Sequence, residues 1–336
     1  MNLLNFLKLK EFIGVLVFDV HRYLSLLCST GGWHHICNRR EVVSLNLNGP
    51  GVLCHWKWSS ILHAPTVLPF LGKWLMMRAL SEYSVKLSGE SSVCFSGVPE
   101  VSFIVGHRGQ NRLPQLLFIL NSIAGQIGIN VECIVVEQDY CENIRDRLPT
   151  WVKYVFDQSN CDSYNRARAF NRGAEIASGT LLIFHDNDLV APSSYAKEAF
   201  KEFCDGFQVI DLKRMIFYLR EEVTSKILSC GYLNFKNTPG SIVQNARPGG
   251  SLAVCRNTFF DLGCYDEAFH GWGGEDVEFW ERAQTAIVNQ YTYIPFVHLW
   301  HEDQPEKNHQ KDSDAMMRWE RLSRMDVYKR IDRLKK

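Results

Sequence analysis

The chain has 336 residues, of which 46% are hydrophobic and 22% are charged, a composition that is typical of a folded globular protein and excludes a long disordered segment. Its 37 Lys and Arg residues balance its 37 Asp and Glu residues, so we expect no nucleic-acid partner, because such proteins usually carry a basic excess. The 11 cysteines form no C-x-x-C pair, and we interpret them as mostly buried free thiols in a reducing, cytoplasmic location.

Residues 1–98 are rich in Leu, Trp and Phe, and the sequence predicts no particular fold for them. Asp19 and Arg22 interrupt the apolar stretch at residues 12–28, which therefore lacks the ~18 uninterrupted apolar residues of a membrane-spanning helix. Residues 1–18 contain no small-residue cleavage site, so we expect no signal peptide. Peripheral contact with a membrane, at the inner face of the plasma membrane, stays open.

A connector rich in Ser and Gly at residues 88–99 precedes a region in which strands and helices alternate. Apolar runs predict strands at 101–106, 131–137, 152–156, 180–185 and 291–297, and helical spacing predicts helices at 113–126, 165–178 and 276–286. This alternation predicts an α/β fold with a mainly parallel sheet that is covered on both faces. Since ligands bind at the carboxyl ends of strands in such sheets, the polar residues that follow these strands are the candidates for a site.

Charged residues follow the first two of these strands. Arg108 and Arg112 come after the first strand and have the chemistry to hold a phosphate group, although a solvated turn accounts for them equally well. Glu137 and Asp139 come at the end of the second strand, where carboxylates can accept hydrogen bonds from ribose hydroxyls or from a base. Charged turns are common, so neither pair indicates a function by itself.

The tripeptide Asp186-Asn187-Asp188, a D-x-D pattern, directly follows the strand predicted at 180–185. As a bare pattern it is weak, because carboxylates are frequent in turns. Its position is more informative. Two carboxylates that project from the end of a buried strand repel each other unless a cation or a proton lies between them. We therefore predict a divalent cation that connects them to a substrate diphosphate.

Residues 271–276 read Gly-Trp-Gly-Gly-Glu-Asp and open a predicted helix. Three glycines allow the backbone to approach a ligand closely. Glu275 and Asp276 then lie at a helix N-terminus, where negative charge is stabilised. A plain capping role is the alternative interpretation, but Trp272 and the glycines favour a functional one.

His298 and His301 follow the strand predicted at 291–297. Residues three positions apart face opposite sides of a regular strand, so both imidazoles can share one metal ion only if the chain bends there. Histidines that are packed in the core are the usual alternative. With a D-x-D in the same chain, we predict that at least one of them binds the metal, and mixed carboxylate and imidazole ligation suits Mn²⁺.

Four blocks of sequence, in this order along the chain, resemble the β-1,4-galactosyltransferase family of nucleotide-sugar transferases. The blocks are YNRA at 164–167 (with Asn171 and Gly173), FHDNDLVAP at 184–192, PGGS at 248–251 and GWGGED at 271–276. The last block matches the motif of that family in every letter. The resemblance implies a glycosyltransferase A fold, a Rossmann-like mixed sheet flanked by helices, here with an N-terminal extension of unknown fold.

Carried over position by position, the resemblance implies a donor site, a metal site and a catalytic pair. The residues implied to bind the UDP-sugar donor are Arg108, Glu137, Asp139, Tyr164, Arg166, Asp186, Asp188, Gly250 and Trp272. Those implied to bind Mn²⁺ or Mg²⁺ are Asp188, His298 and His301. Asp276 would be the catalytic base, and Glu275 would contact a sugar. The family has Met in place of His298 in its metal site. It often has a further acid in place of Val277, so we expect a different acceptor site.

The implied activity is the metal-dependent, inverting transfer of a hexose, such as galactose or N-acetylgalactosamine, from a UDP-sugar to a hydroxyl of a saccharide or lipid-linked saccharide acceptor. We expect it to serve the synthesis of surface polysaccharide. The alternatives are a retaining N-acetylgalactosaminyltransferase-like enzyme, a sugar nucleotidyltransferase and a non-catalytic UDP-sugar-binding protein. Asp276 stands where the retaining family has Asn, and this difference favours inversion.

We predict three regions: residues 1–98 of unknown fold, a glycosyltransferase A catalytic domain at 99–309, and a charged C-terminal helix at 310–336. Basic residues near the C-terminus, which include Lys329 and Arg330, suit contact with an anionic membrane or with a second copy of the chain in a homo-oligomer, and equally a solvated helix. The N-terminal membrane anchor of the family has no counterpart in this sequence, so we expect a soluble enzyme of a bacterial type.

Overall fold

The computed structural model of the protein describes residues 3–27, 32–89, 97–160, 163–233, 237–245, 249–271, 273–302 and 314–335. The α-helices are α1 (Leu3–Phe18), α2 (Val20–Leu27), α3 (His63–Val67), α4 (Pro69–Glu82), α5 (Leu113–Ala124), α6 (Arg166–Ile176), α7 (Tyr195–Cys204), α8 (Glu221–Cys230), α9 (Arg256–Asp261), α10 (Glu275–Ala283), α11 (Asp314–Ser323) and α12 (Val327–Leu334). None of the helices within the described ranges has the length and apolar character needed to cross a bilayer.

The strands are β1 (Val43–Leu45), β2 (Val52–Cys54), β3 (Ser60–Ile61), β4 (Val101–His107), β5 (Val131–Asp139), β6 (Lys153–Gln158), β7 (Leu181–His185), β8 (Leu189–Val190), β9 (Val209–Ile210), β10 (Lys213–Tyr218), β11 (Ser241–Gln244), β12 (Ser251–Cys255), β13 (Val288–Asn289), β14 (Tyr291–Thr292) and β15 (Ile294–His298). They form sheets of seven, five and three strands.

The seven-stranded sheet has the order β13-β9-β12-β7-β4-β5-β6. Strands β7, β4, β5 and β6 run parallel, whereas β12 is antiparallel to β7, so the predicted α/β fold with a mixed sheet is confirmed. Both β4 and β7 are buried along their whole length, which is the reason that their sequences are continuous apolar runs. Helix α6 covers β4 and β5 closely, since a Cβ on Gly173 would lie only 2.3 Å from Ile104 Cγ2.

The five-stranded sheet, in the order β3-β11-β10-β15-β8, decides where the histidines lie. Strand β15 is antiparallel to β8, with Val297 opposite Val190 and His298 opposite Leu189. Because β8 begins directly after the D-x-D, this pairing brings His298 next to the second aspartate. The single strand predicted at 291–297 is in fact two strands, since β14 pairs with β2 and β15 pairs with β10 and β8.

Part of the N-terminal region belongs to the same core as the sheets. Strand β3 pairs with β11, and β2 pairs with β14. Trp33, Leu71 and Leu75 are buried in one cluster with Val101 of β4, so apolar burial on one side of the connector stabilises the other side as well. The domain boundary at residue 98 stays a prediction. Strand pairing and core contacts connect the residues on its two sides.

The C-terminal tail forms two helices, α11 and α12, instead of the single helix predicted. Asp326 starts the second helix by accepting hydrogen bonds from the backbone N–H groups of Tyr328 and Lys329, which is a capping arrangement. Arg330 is only 4% exposed, and its guanidinium lies 2.9 Å from Glu281 of α10. The expectation that Arg330 faces water or a membrane is therefore wrong, because a carboxylate of the preceding region pairs with it.

Helix α6 also ends earlier than predicted. Its last residue is Ile176, and Gly179, which the sequence suggests as the stop signal, lies beyond the helix. A Cβ on Gly179 would lie 2.7 Å from Ser102 Oγ. This glycine therefore allows the loop to approach β4 and does not cap the helix.

The eight cysteines within the described residues are free thiols. Cys133 is buried, whereas Cys141, Cys204 and Cys230 are exposed, so the expectation of mostly buried thiols is wrong. Exposure depends on where an element lies in the fold, and the spacing of cysteines along the chain does not reveal it. The cytoplasmic location stays a prediction.

Candidate active site

Three of the sequence blocks meet at the carboxyl end of β7. The backbone N–H of Asp186 donates to the carbonyl of Gly250 at 2.8 Å, because β12, which begins at Ser251, is antiparallel to β7. Gly249 and Gly250 have φ angles of 119° and 77°, which residues with a side chain rarely adopt. A Cβ on Gly249 would lie 3.4 Å from Asp276 Oδ2. The glycine turn therefore lies between the D-x-D and the acidic pair of α10.

Asp188 is 3% exposed, and both predicted imidazole ligands lie beside its carboxylate. Nε2 of His298 is 3.5 Å from Oδ1, and Nε2 of His301 is 3.2 Å from Oδ2. Strand β15 ends at His298, and the N–H of Leu299 donates to the carbonyl of Asp188 at 2.9 Å, so the chain leaves the regular strand there. This bend is the condition under which histidines three positions apart can serve one ion. The three potential ligand atoms lie within 4.8 Å of one another.

This cluster has the composition and the unpaired atom of a cation site. Within the described part of the chain, Asp188 Oδ1 is buried and has no hydrogen-bond partner. Burial lowers the pKa of His298, which favours the neutral imidazole that binds metal ions. A carboxylate oxygen that faces a neutral imidazole nitrogen is satisfied when a cation lies between them, and this donor set suits Mn²⁺ and similar ions. The residues present therefore fit a divalent cation.

Two further residues complete the cluster, and no signal in the sequence assigns them to it. Arg112 Nη1 donates to Asp188 Oδ2 at 3.2 Å, and the ring of Tyr218 stacks on that of His298 with 4.3 Å between centroids. Burial would raise the pKa of Asp188, but His298, His301 and Arg112 together hold it below its usual range. Arg112 stands out only as a charge near a strand end, and a Tyr in a buried strand usually indicates packing.

Arg166, the first residue of α6, bridges the D-x-D and the acidic pair. Its guanidinium donates to Asp186 Oδ1 at 2.7 and 3.0 Å and to Asp276 Oδ1 at 2.5 Å. It also lies 3.4 Å from Glu275 Oε1. Asn165 positions it by capping the helix with its side chain. One guanidinium thus faces three carboxylates, which leaves an excess of negative charge at this place.

That excess is visible in Glu275, whose pKa is raised to about 7. Burial is the largest cause, the neighbouring Asp276 adds to it, and Arg166 opposes it. Near neutral pH, Glu275 is therefore partly protonated. In that state it can donate a hydrogen bond as well as accept one.

We expect Glu275→Gln to raise the melting temperature at pH 8 relative to that of the unchanged protein. A carboxyl whose pKa rises from 4.5 to about 7 on folding contributes stability that is fully present below pH 4.5 and is lost as the pH rises through about 7. The amide does not ionise, so the relative advantage of the variant should shrink between pH 8 and pH 5. Thermal denaturation of both proteins across this range measures it.

Glu222→Gln is the matched control for this prediction, because Glu222 is exposed in the first turn of α8. Its effect on the melting temperature should be small at every pH. A difference between Glu275→Gln and the unchanged protein that stays constant from pH 5 to pH 8 would contradict the raised pKa.

Tyr164 is held against the end of β4. A Cβ on Gly106 would lie 1.9 Å from Tyr164 Oη, so the phenol fits there because the residue below it is glycine. Burial raises the pKa of Tyr164, and its hydroxyl stays protonated at neutral pH. The stacking role implied for Tyr164 stays a prediction, and its position two residues before Arg166 is compatible with it.

The remaining donor residues lie at the ends of β4 and β5. Glu137 is fully buried and accepts hydrogen bonds from Tyr154 Oη at 2.5 Å and from the Asn143 N–H at 3.0 Å. Asp139 accepts from the Gly109 N–H at 3.2 Å. The guanidinium of Arg108 lies 5.5 Å from the centre of the Tyr140 ring. These side chains shape the two turns, their contact with a nucleotide stays a prediction, and Trp272 lies outside the described residues.

A buried ion pair supports the glycine turn, and the sequence contains no signal for it. Lys213 is completely buried, its Nζ lies 2.5 Å from Asp211 Oδ1, and it donates to the carbonyl of Ser251. Its Cδ would be 3.9 Å from a Cβ on Gly250. A lysine in a strand usually indicates a solvated position, which is why its role in fixing this turn emerges only from the fold.

Residues 117–305 match the family model described as glycosyltransferase like family 2. No curated protein matches the chain in sequence. Among solved structures, the chain is similar to GalNAc-T7 with UDP, GalNAc and Mn²⁺, at 13% identity and a TM-score of 0.45, over 62% of this chain and 45% of that one. It is also similar to S. aureus TarS 1–349, at 15% identity and a TM-score of 0.43, over 70% of this chain and 69% of that one. The chain thus spans less than half the length of the first of these two proteins.

The family match covers more than half of the chain and contains both aspartates of the D-x-D, the glycine turn, the acidic pair and both histidines. Together with the mixed sheet flanked by helices, it confirms the expected glycosyltransferase A fold. The chain therefore belongs to the glycosyltransferase like family 2.

Proposed function

We propose that the protein is a metal-dependent, inverting glycosyltransferase that moves a hexose from a UDP-sugar to a hydroxyl of a saccharide acceptor. One observation carries this proposal: the D-x-D, whose second aspartate belongs to the cation-binding cluster, and Asp276 both lie next to the turn at Gly249 and Gly250. A cation-binding cluster and a carboxylate thus border a stretch of backbone that a ligand can approach closely.

Charged residues and a bound cation would hold the UDP-sugar donor in the proposed site. Asp188, His298 and His301 would bind a divalent cation such as Mn²⁺, which when bound supplies positive charge that stabilises the departing diphosphate. Arg112 and Arg166, which already contact the two aspartates of the D-x-D, would add charge-assisted hydrogen bonds to the phosphates. Arg108 remains a proposed contact for the diphosphate, and Glu137 or Asp139 for the uridine.

In the proposed reaction, Asp276 takes the proton from the acceptor hydroxyl as that hydroxyl attacks the anomeric carbon. Arg166 binds Oδ1 of this carboxylate, while Oδ2 faces the glycine turn. One oxygen therefore holds the side chain in place, and the other would accept the proton. Glu275, with its raised pKa, is the proposed hydrogen-bond partner of a sugar hydroxyl.

The transferred sugar is proposed from the resemblance to the β-1,4-galactosyltransferases, as galactose or N-acetylgalactosamine. The test incubates the full chain with the UDP derivatives of galactose, N-acetylgalactosamine, glucose and N-acetylglucosamine, with and without Mn²⁺, and with water or a saccharide mixture as acceptor. We expect at least one donor to release UDP only when the metal is present, and NMR of the product to show an inverted anomeric centre.

Each other outcome identifies a different function. A retained anomeric configuration would favour the N-acetylgalactosaminyltransferase-like alternative. Release of pyrophosphate would indicate a sugar nucleotidyltransferase. Binding of UDP without turnover of any donor would indicate a non-catalytic UDP-sugar-binding protein.

The start of the chain is proposed to contact an anionic membrane surface. Helix α1 exposes apolar side chains at a spacing that places them on one face, and these are Phe12, Ile13, Leu16 and Val17. Arg39 lies beside them, 42% exposed in its side chain, and donates to the carbonyl of Gly14 at 3.1 Å. An apolar helix face with an adjacent cation is what an interfacial helix presents to anionic headgroups. Such contact would bring the enzyme to a lipid-linked saccharide.

We expect the protein to sediment with phosphatidylcholine vesicles that contain about one third phosphatidylglycerol. The double variant Ile13→Ser, Val17→Ser should bind them at least ~10-fold more weakly, because two apolar side chains no longer enter the lipid. Val98→Ser is the control, since Val98 is 78% exposed on the connector. A dimer in solution that the double variant abolishes would instead identify a second copy of the chain as the partner.

A further inference from the structure

Two tryptophans from opposite ends of the chain meet near the candidate active site. Trp58 lies between β2 and β3, Trp319 lies on α11, and their rings are 6.1 Å apart and nearly perpendicular, at 80°. Trp58 is 45% exposed, and Trp319 is half-buried. An exposed indole forgoes much of the free energy that burial of so large an apolar surface provides. Core packing therefore does not account for the position of Trp58.

Trp319 is attached to the segment that precedes the acidic pair. It packs against a small cluster formed by Phe269, Ala315 and Leu322, and its Nε1 donates to Glu281 Oε1 of α10 at 3.3 Å. The same cluster meets the glycines of the GWGGED block. A Cβ on Gly274 would lie 2.9 Å from Phe269 and 3.0 Å from the carbonyl of Ala315. Helix α11 therefore rests directly on the turn that leads to Glu275 and Asp276.

Trp58 is attached to the segment that leads to the glycine turn. Ser59 Oγ donates to Asn245 Oδ1 at 2.7 Å, and Cys54 Sγ donates to the carbonyl of Asn245 at 3.3 Å. Asn245 lies four residues before Gly249, whose Cβ would lie 3.4 Å from Asp276 Oδ2. The loop that carries Trp58 thus contacts Asn245, the last described residue before the glycine turn.

The elements that carry the two tryptophans therefore contact segments on either side of the proposed catalytic carboxylate: α11 contacts the turn at Gly274, and the Trp58 loop contacts Asn245. The described residues proposed for the donor lie at the ends of β4, β5 and β7, at the start of α6 and at the glycine turn, so the tryptophans belong to different elements from those of the donor site. Both positions also lie outside residues 117–305, the part of the chain that matches the family. Proteins of one family share the residues of the common reaction and differ elsewhere in the chain. Recognition of the acceptor is therefore expected in the parts of the chain that differ.

We propose that Trp58 and Trp319 form a subsite for the acceptor saccharide, and this inference rests on the proposed function. A pyranose ring has a flat face of C–H groups that packs against an aromatic surface while its hydroxyls remain in water. Lys57, whose Nζ lies over one face of the Trp58 ring at 5.0 Å from its centre, would donate to oxygen atoms of a sugar that packs on the other face. A saccharide held there directs a hydroxyl towards Asp276.

Saturation-transfer NMR on the full chain, with UDP and Mn²⁺ present, tests the subsite. The probes are the methyl β-glycosides of galactose, glucose and N-acetylglucosamine. We expect at least one probe to bind, and Trp58→Ala to weaken that binding by about 10-fold or more, as loss of an aromatic anchor does in other interfaces. Trp58→Phe keeps a flat ring and should therefore retain most of the affinity for the probe. If Trp58→Ala weakened binding only by disturbing the structure, the affinity would not depend on whether an aromatic ring is present.

Phe260→Ala is the matched control. Phe260 is 37% exposed and lies on α9, which follows the end of β12 that is remote from the glycine turn. Unchanged probe binding in Trp58→Ala, equal weakening in Phe260→Ala, or no binding of any probe by the unchanged chain would each overturn the subsite. Thermal denaturation checks the fold, and if Trp58→Ala unfolds, Lys57→Ala takes its place in the same comparison.

Failure of the proposed function would look different. In that case no UDP-sugar would release UDP, yet a probe would still bind in a manner that depends on Trp58. Conversely, the chain could turn over a UDP-sugar while its saccharide binding does not depend on Trp58 or Trp319. That result would overturn the subsite and leave the proposed function intact.

Discussion

Replacement of Asp276 by asparagine is expected to lower kcat by ~10²–10⁴-fold, which is the usual contribution of a general base. Asparagine keeps the shape of the side chain but cannot accept the proton of the acceptor hydroxyl. The affinity for the donor should hardly change, because the lost interaction forms in the transition state. Steady-state kinetics with the UDP-sugar that the unchanged chain accepts, at varied donor and acceptor concentrations, measures both quantities.

Glu275→Gln is the informative comparison for Asp276→Asn. Glu275 shares the guanidinium of Arg166 with Asp276 and has the raised pKa, so it is a neighbouring carboxyl that could take over the role of base. We expect its replacement to change the KM for a sugar more than kcat. If Asp276→Asn turned over near normally while Glu275→Gln did not, Glu275 would be the base. If both remained active with retained configuration, the inverting mechanism would be wrong.

Replacement of Asp188 by alanine is expected to abolish the Mn²⁺-dependent binding of UDP while the fold persists. Asp188 is the carboxylate that both His298 and His301 face, and its removal leaves two neutral ligands without the negative charge that holds a hard cation. Mutation of a residue that hydrogen-bonds a metal ligand typically lowers the affinity for the metal ~10–100-fold. Loss of a ligand itself should lower that affinity further. Calorimetric titration of Mn²⁺ and then of UDP measures the effect.

Asp146→Ala is the control for Asp188→Ala, because Asp146 is an exposed carboxylate in the short turn after β5. It should bind Mn²⁺ and UDP as the unchanged chain does. His301→Ala and His298→Ala, compared with each other, decide whether both imidazoles ligate. Full transferase activity in EDTA would refute metal dependence altogether.

The elements near the sheet centre could be predicted from the sequence because a short, continuously apolar run between turn residues is compatible with few structures besides a buried strand. The runs at 101–106, 131–137 and 180–185 have this pattern, and each became a buried parallel strand. The end of the chain was harder to predict. The strand at 291–297 divides because its two halves pair with different partners, and the tail divides at Asp326, whose capping role is a local signal that charge content obscures.

The candidate site could be predicted as a set of residue types, and much less as a set of contacts. D-x-D, GWGGED and the two histidines are visible as patterns. The position of Arg166 between Asp186 and Asp276 is not, since an arginine at a helix start is equally compatible with solvent. The contact of Lys213 with the glycine turn is likewise invisible in the sequence. So is the contact between Trp58 and Trp319, because these residues come from opposite ends of the chain.

The sequence by itself determined which segments must be buried and which chemistry follows them, because a long apolar run is stable only inside the protein and the carboxylates after it then lie at the edge of the sheet. Only the tertiary structure decided which of these groups face one another. The pairing of β15 with β8 and of β12 with β7 joins parts that are distant along the chain. The free energy of such pairing comes from packing and hydrogen bonding across the whole fold, and no local pattern contains it.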